Sequence, residues 1–276
     1  MHQVFVRTRH VYDSYQDLWR LVELSGIETC YVDELRFDRD VLYVCATING
    51  EIRPHIVNER KRCGAGVRAR TAAWALERPD APSAPPWEAE VTDLLRFFDI
   101  VWVSDQTLQA LDPRTRFVPF GSHAGLGSSS KREMAYDVAF MGYMIPRRDS
   151  IAAQLRAHGL RVAPNGWGAE RDTILRSTRL MLNVHQHERP MPVGEPLRFA
   201  LAAAYQLPLV SELVERPAPL TNGYDVLLRT YDELVSAVRV VLSDATECSR
   251  LGGNLHGTLC QLHPFGVELA RVGAAS

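Results

Sequence analysis

Short apolar runs alternate along this chain with stretches in which apolar residues recur every three or four positions. That alternation predicts a mostly parallel sheet with crossover helices, an α/β fold. In the first half, residues 4–8, 29–32, 41–46, 67–74, 100–103 and 116–120 read as strands, and 15–25 and 91–97 as helices. In the second half, strands are predicted at 136–141, 160–163, 180–184 and 207–211. Helices are predicted there at 150–158, 170–177, 195–205 and 231–242, followed by a weaker helical pattern to the C-terminus.

Two segments interrupt the alternation. Residues 76–87 hold four prolines and predict an irregular loop. Residues 121–132, Gly-Ser-His-Ala-Gly-Leu-Gly-Ser-Ser-Ser-Lys-Arg, form a small-residue stretch suited to an interdomain linker. The expected division is therefore one domain over 1–125 and a second over 133–276, facing a cleft.

Composition narrows the class. With 276 residues, 46% apolar and 23% charged, the chain suits an ordinary globular protein of one large or two small domains. A formal charge of −2 gives no general drive toward nucleic acid or anionic membrane. No apolar run reaches the ~18 residues of a membrane span, and the N-terminus reads as a strand. Five cysteines without C-x-x-C spacing argue against a zinc site or a disulfide framework and for free thiols in a cytoplasmic protein.

Chemistry concentrates in the second half. An apolar strand ends at His185, a polar loop leads to a helix opening at Glu195 with Arg198 one turn on, and the next strand ends in Ser211-Glu212. In an open parallel sheet, strand C-termini and helix N-termini converge on one crevice, so these five residues are expected to face one another there. Such a crevice suits the ribose and diphosphate of a nucleotide. Taken alone, Glu195 and Arg198 would be a helix-start carboxylate and its i,i+3 partner. Earlier, Phe140-Met141-Gly142 closes a strand before Arg147 and Arg148, a turn where backbone and guanidinium groups can approach an anion. Trp167, between Gly166 and Gly168, is placed to stack on a base or sugar, or to plug the loop. In the first half, Trp74, Glu77, Trp102, Ser104, Asp105 and His123 follow probable strands and line the opposite wall or make turns. Arg60, Lys61, Arg62, Arg68 and Arg70 read as a solvated basic face or a contact for a polyanion.

The ordered set Leu182-Asn183-Val184-His185, Glu195-Pro196-Leu197-Arg198 and Pro208-Leu209-Val210-Ser211-Glu212 resembles the two-domain glycosyltransferases of the GT-B fold, in particular small bacterial and phage-type members. Residues 74–79, 102–105 and 118–122 fit the same comparison, which spans roughly residues 67–242. The resemblance implies two Rossmann-like domains, the first binding acceptor and the second a nucleotide sugar. It implies transfer of a sugar from a UDP- or GDP-sugar to a hydroxyl of a glycan, a lipid-linked or small-molecule acceptor, or a modified nucleobase. The −2 charge weighs against DNA. It also implies that no metal or other cofactor is required, with Arg147, Arg148 and Arg198 neutralising the departing diphosphate. Gly142, Trp167, Glu195, Ser211 and Glu212 complete the implied donor site. An inverting reaction needs a general base, with His10, Asp13, Glu77 and His185 as the catalytic candidates and Glu51 and His55 beside them. Many retaining members carry a second Glu eight residues after the first; Ala203 stands there, so stereochemistry stays open. A nucleotide-sugar epimerase on the same fold, or a binding protein without turnover, are the alternatives.

Overall fold

The computed structural model describes residues 2–9, 15–46, 52–76, 86–127, 133–188 and 191–274, and among these six strands and four α-helices build the first unit. The strands are β1 (His2–Arg7), β2 (Glu28–Tyr31), β3 (Val41–Cys45), β4 (Arg70–Ala75), β5 (Ile100–Val103) and β6 (Thr115–Phe117). Between them run α1 (Gln16–Leu24), α2 (Ile52–Cys63) and α3 (Trp87–Leu94). All neighbours pair in parallel in the order β2-β1-β3-β4-β5-β6. A parallel sheet covered on both faces needs apolar residues on both sides of its strands, and β3 and β5 are buried at every position. Trp74 and Trp102 are register partners on β4 and β5, their rings edge-to-face at 5.7 Å, with Phe5 against Trp74 at 6.2 Å. These tryptophans are core, rather than the exposed wall that their strand-end positions suggested.

The second unit carries β7 (Tyr136–Phe140), β8 (Thr178–Asn183), β9 (Leu209–Glu212) and β10 (Leu227–Arg229), all parallel in the order β10-β9-β8-β7. Its helices are α4 (Pro146–Ala157), α5 (Gly168–Arg176), α6 (Pro196–Ala204), α7 (Leu234–Ser243) and α8 (Ala245–His256). Val138, Phe140, Leu180, Leu182 and Val184 face Ile151, Leu155, Val238 and Val241 in one buried cluster. The strand expected at 160–163 is instead a single bridge, Val138 to Val162, beside β7. Pro164, which has no N–H to donate, follows at once. The chain thus steps to one side of β7 with that bridge and to the other with β8, so the order reverses between β7 and β8. Ligands in open α/β sheets bind at the C-terminal ends of such strands.

The units divide at Pro119 and Phe120, and the last helix, α9 (Phe265–Ala274), returns from Gly266 onward to the first unit. There Gln3 Nε2 donates to the carbonyl of Leu269 at 2.9 Å. Residues 266–274, which the expected division places with 133–276, group here with the first unit. The linker's residues 128–132 lie outside the described residues.

Candidate donor site

Four backbone ends meet at the switch between β7 and β8. Gly142 follows β7 with φ of +107°, a region open in practice to glycine. A Cβ there would sit 3.0 Å from Arg198 Nη2 and 3.2 Å from Arg148 Nη1, so the missing side chain is what lets both guanidinium groups reach this turn. Pro146 then starts α4, and Pro196 starts α6, each at the position where its absent N–H costs nothing. Neither helix has a side-chain cap; in α6 the N–H groups of Arg198 and Phe199 turn back onto the Glu195 carbonyl at 3.1 and 3.3 Å.

Behind this turn lies a buried polar network. Asn183 and His185, both about 1% exposed, lie two residues apart at the end of β8 and reach the same carboxylate. Asn183 Nδ2 donates to Glu195 Oε2 at 2.7 Å and to Ser211 Oγ at 3.0 Å. His185 Nδ1 meets Glu195 Oε1 at 3.1 Å, and Arg198 Nη1 donates to the same oxygen at 2.9 Å and to Asn183 Oδ1 at 2.8 Å. Burial opposes charge on Glu195, but the nearby Arg198 guanidinium and the hydrogen bonds from His185 and Asn183 outweigh it and hold the carboxyl well below the usual range. Burial likewise pushes His185 down, and Glu195 more than restores it, leaving the imidazole above its ordinary value.

The three arginines differ in use. Arg147 joins Glu212 through two bonds of 2.8 and 3.2 Å, donates to the carbonyls of His185 and His187, and packs 4.4 Å from the ring of Tyr231. Glu212 also accepts from the His185 backbone N–H at 3.0 Å. Arg148 is buried, with Nε on the Val184 carbonyl at 2.9 Å and Nη1 on that of Tyr143. Both therefore hold the loops together. Arg198, its side chain 21% exposed, uses Nη1 internally while its Nε and Nη2 lie beside Gly142. That side-on edge is the one that grips an oxyanion in two places.

The structure thus brings Gly142, Arg147, Arg148, His185, Glu195, Arg198, Ser211 and Glu212 together. Trp167 stacks at a tilt against exposed Tyr143, centroids 5.3 Å apart, and so joins the same rim. Asn183 and Tyr143 were missed as site residues; an amide in the last buried position of an apolar strand was the available signal. Asp105 and His123 cap short turns, accepting from Thr107 N and Gly125 N. Arg60 is tied to Asp99, Thr71 and the Phe97 carbonyl, Arg62 to Glu59 and Arg68 to Asp40, so much of the basic run is internally paired. His10, Asp13, Glu51 and Glu77 lie outside the described residues. No helix among the described residues is long and apolar enough to cross a membrane.

Two parallel α/β units with this order are the GT-B fold, and solved structures of that fold cover the whole chain. The Anabaena protein Alr3699/HepE, solved with UDP and glucose, superposes with a TM-score of 0.68 at 12% identity over 100% of both chains. AviGT4, a glycosyltransferase involved in avilamycin A biosynthesis, gives 0.57 at 13% identity over 100% of this chain and 99% of that one. A UDP-N-acetylglucosamine 2-epimerase gives 0.57 at 9% over 98% and 94%. In sequence, the chain belongs to the family of Uncharacterized protein L140 of Acanthamoeba polyphaga mimivirus, with 39% identity over 247 residues, 86% of this chain and 76% of the relative. No family model matches it.

Proposed function

We propose that the protein is a glycosyltransferase that moves a sugar from a UDP- or GDP-sugar, held by the second unit, to a hydroxyl acceptor. The observation that carries this reading is the open Nε/Nη2 edge of Arg198 beside Gly142, fixed from behind by Asn183 and Glu195. Charge grows on the leaving diphosphate as the glycosidic bond breaks, and donors already aimed there lower the barrier without reorganising. Arg198 supplies such donors and the positive dipole ends of α4 and α6 add to them, so the reading calls on no metal. Glu195 accepts three hydrogen bonds already, and a carboxylate offers about four lone-pair sites, which leaves room for one ligand hydroxyl. Tyr143 and Trp167 would flank the base or sugar. Arg147, Arg148, Ser211 and Glu212 shape the donor site from inside.

Acceptor binding is assigned to the first unit, with the general base drawn from His10, Asp13 or Glu77. Five free cysteines suit a reducing compartment such as the cytoplasm. The epimerase among the similar folds makes the second reading an acceptor-independent reaction at the same donor site. Thermal unfolding with nucleoside diphosphates tests the donor site: at ~100 times its dissociation constant a ligand stabilises by about 2.7 kcal/mol. A shift with one base that is lost on Arg198→Met supports the reading. No shift with any nucleotide overturns it and favours a binding protein of another kind. An epimerised sugar formed from the donor without acceptor would select the epimerase.

A further inference from the structure

Hydrogen-bond logic fixes the protonation of the buried network from one end. A guanidinium only donates, so Asn183 Oδ1, 2.8 Å from Arg198 Nη1, is correctly an oxygen and the amide nitrogen faces Glu195. Glu195 Oε2 therefore accepts from Asn183, and Oε1 accepts from Arg198. A carboxyl receiving an amide on one oxygen and a guanidinium on the other ionises. Facing that carboxylate, His185 Nδ1 must carry a proton. His185 Nε2 faces the Leu213 carbonyl at 3.0 Å, an oxygen that only accepts, and so must carry one too. Both ring nitrogens are donors, which describes imidazolium.

From this geometry we infer that His185 is a positioning residue held as a cation at neutral pH, and that it links nucleotide affinity to a proton. The inference rests on the donor-site reading above and takes His185 out of proton transfer. The charged groups around the ring are Glu195 and Arg198 on α6 and its N-cap, Glu212 at the end of β9, and Arg147 of α4, whose guanidinium donates to the His185 carbonyl. Counting Arg148, the cluster holds four cations against two carboxylates, a surplus that suits a diphosphate. Loss of one His185 proton removes one charge from that surplus and one of the two bonds that seat the ring between Glu195 and the Leu213 carbonyl, loosening the support behind Glu195 and Arg198.

Imidazole 15N NMR on the full, unliganded chain labelled at histidine tests the first half without reference to any nucleotide. One histidine of the nine, absent from His185→Gln, should show both ring nitrogens protonated at pH 7.5. A His185 signal of a neutral tautomer at that pH overturns the inference. Isothermal titration with UDP and GDP between pH 7 and 9, above the second phosphate ionisation near about 6, tests the second half. Affinity should fall about three- to tenfold as His185 deprotonates, the effect of one unit charge through a partly screened medium. His185→Gln should bind at the weaker level with a flat profile. A wild-type profile as flat as the variant's overturns the linkage. If neither nucleotide binds while the NMR signal is that of imidazolium, it is the donor-site reading that fails.

Discussion

Replacing Glu195 by Ala removes the acceptor on which two cations and one amide converge. The cost follows from what each donor can do afterwards. Arg198, with 21% of its side chain exposed, turns toward water, whereas His185, at 2%, cannot. Breaking a buried ion pair from one side costs roughly 3–5 kcal/mol, and the partial access of Arg198 places this case near the lower end, about 3 kcal/mol. Urea unfolding is the assay; with a slope of about 2 kcal/mol per molar, the midpoint of the second unit should fall by about 1.5 M. The pH dependence is the sharper check. The raised value of His185 means that its contribution is complete below about 6.5 and lost as the pH rises through the folded value. The lowered value of Glu195 means that its contribution is present above about 4.5 and lost as the pH falls through the folded value. The stability gap between wild type and variant should therefore be widest between these limits and narrow on the alkaline side. A gap under about 1 kcal/mol at pH 6, or one that widens toward pH 9, would refute the reasoning.

Gly142→Ala combines a φ of +107° with crowding of Arg198 and Arg148, and should cost roughly 1–3 kcal/mol while abolishing the nucleotide-dependent rise in melting temperature. A variant that melts and binds as wild type would show that the turn has room. Exposed Gln206 ends α6 with φ of +53°, so Gln206→Gly should stabilise by roughly 0.5–1 kcal/mol in chemical denaturation, left-handed strain outweighing the added freedom of the unfolded chain. Next to it, a Cβ on Gly252 would lie 2.3 Å from the Gln206 carbonyl oxygen; Gly252→Ala must push α8 off the end of α6 and should cost about 1–3 kcal/mol.

The alternation of apolar runs and helical periods determined by itself that this is a parallel α/β protein, because buried strands and amphipathic helices need different spacings of apolar residues. It placed β5 to the residue and gathered His185, Glu195, Arg198, Ser211 and Glu212 at one end of one sheet, since strand ends and helix starts are marked by where apolar character stops. It missed α2, whose only buried residues are Ile52 and Ile56, and the three-residue β10, because so little of either faces the core. It also read a strand at 160–163 where Pro164 limits pairing to one bridge. What only the tertiary structure decided is the division of labour among like residues. Three arginines equal in sequence became two loop clamps and one with an open edge, and a histidine at a strand end acquired two acceptors. Asn183 became the hinge of the network, and Trp74 and Trp102 became core. A guanidinium or an imidazole is defined by its partners, and those partners come from distant segments: Glu212 lies 65 residues from Arg147, and Tyr231 lies 84 from it. Local spacing carries which face a residue lies on; it does not carry which distant carbonyl or carboxylate will meet it there.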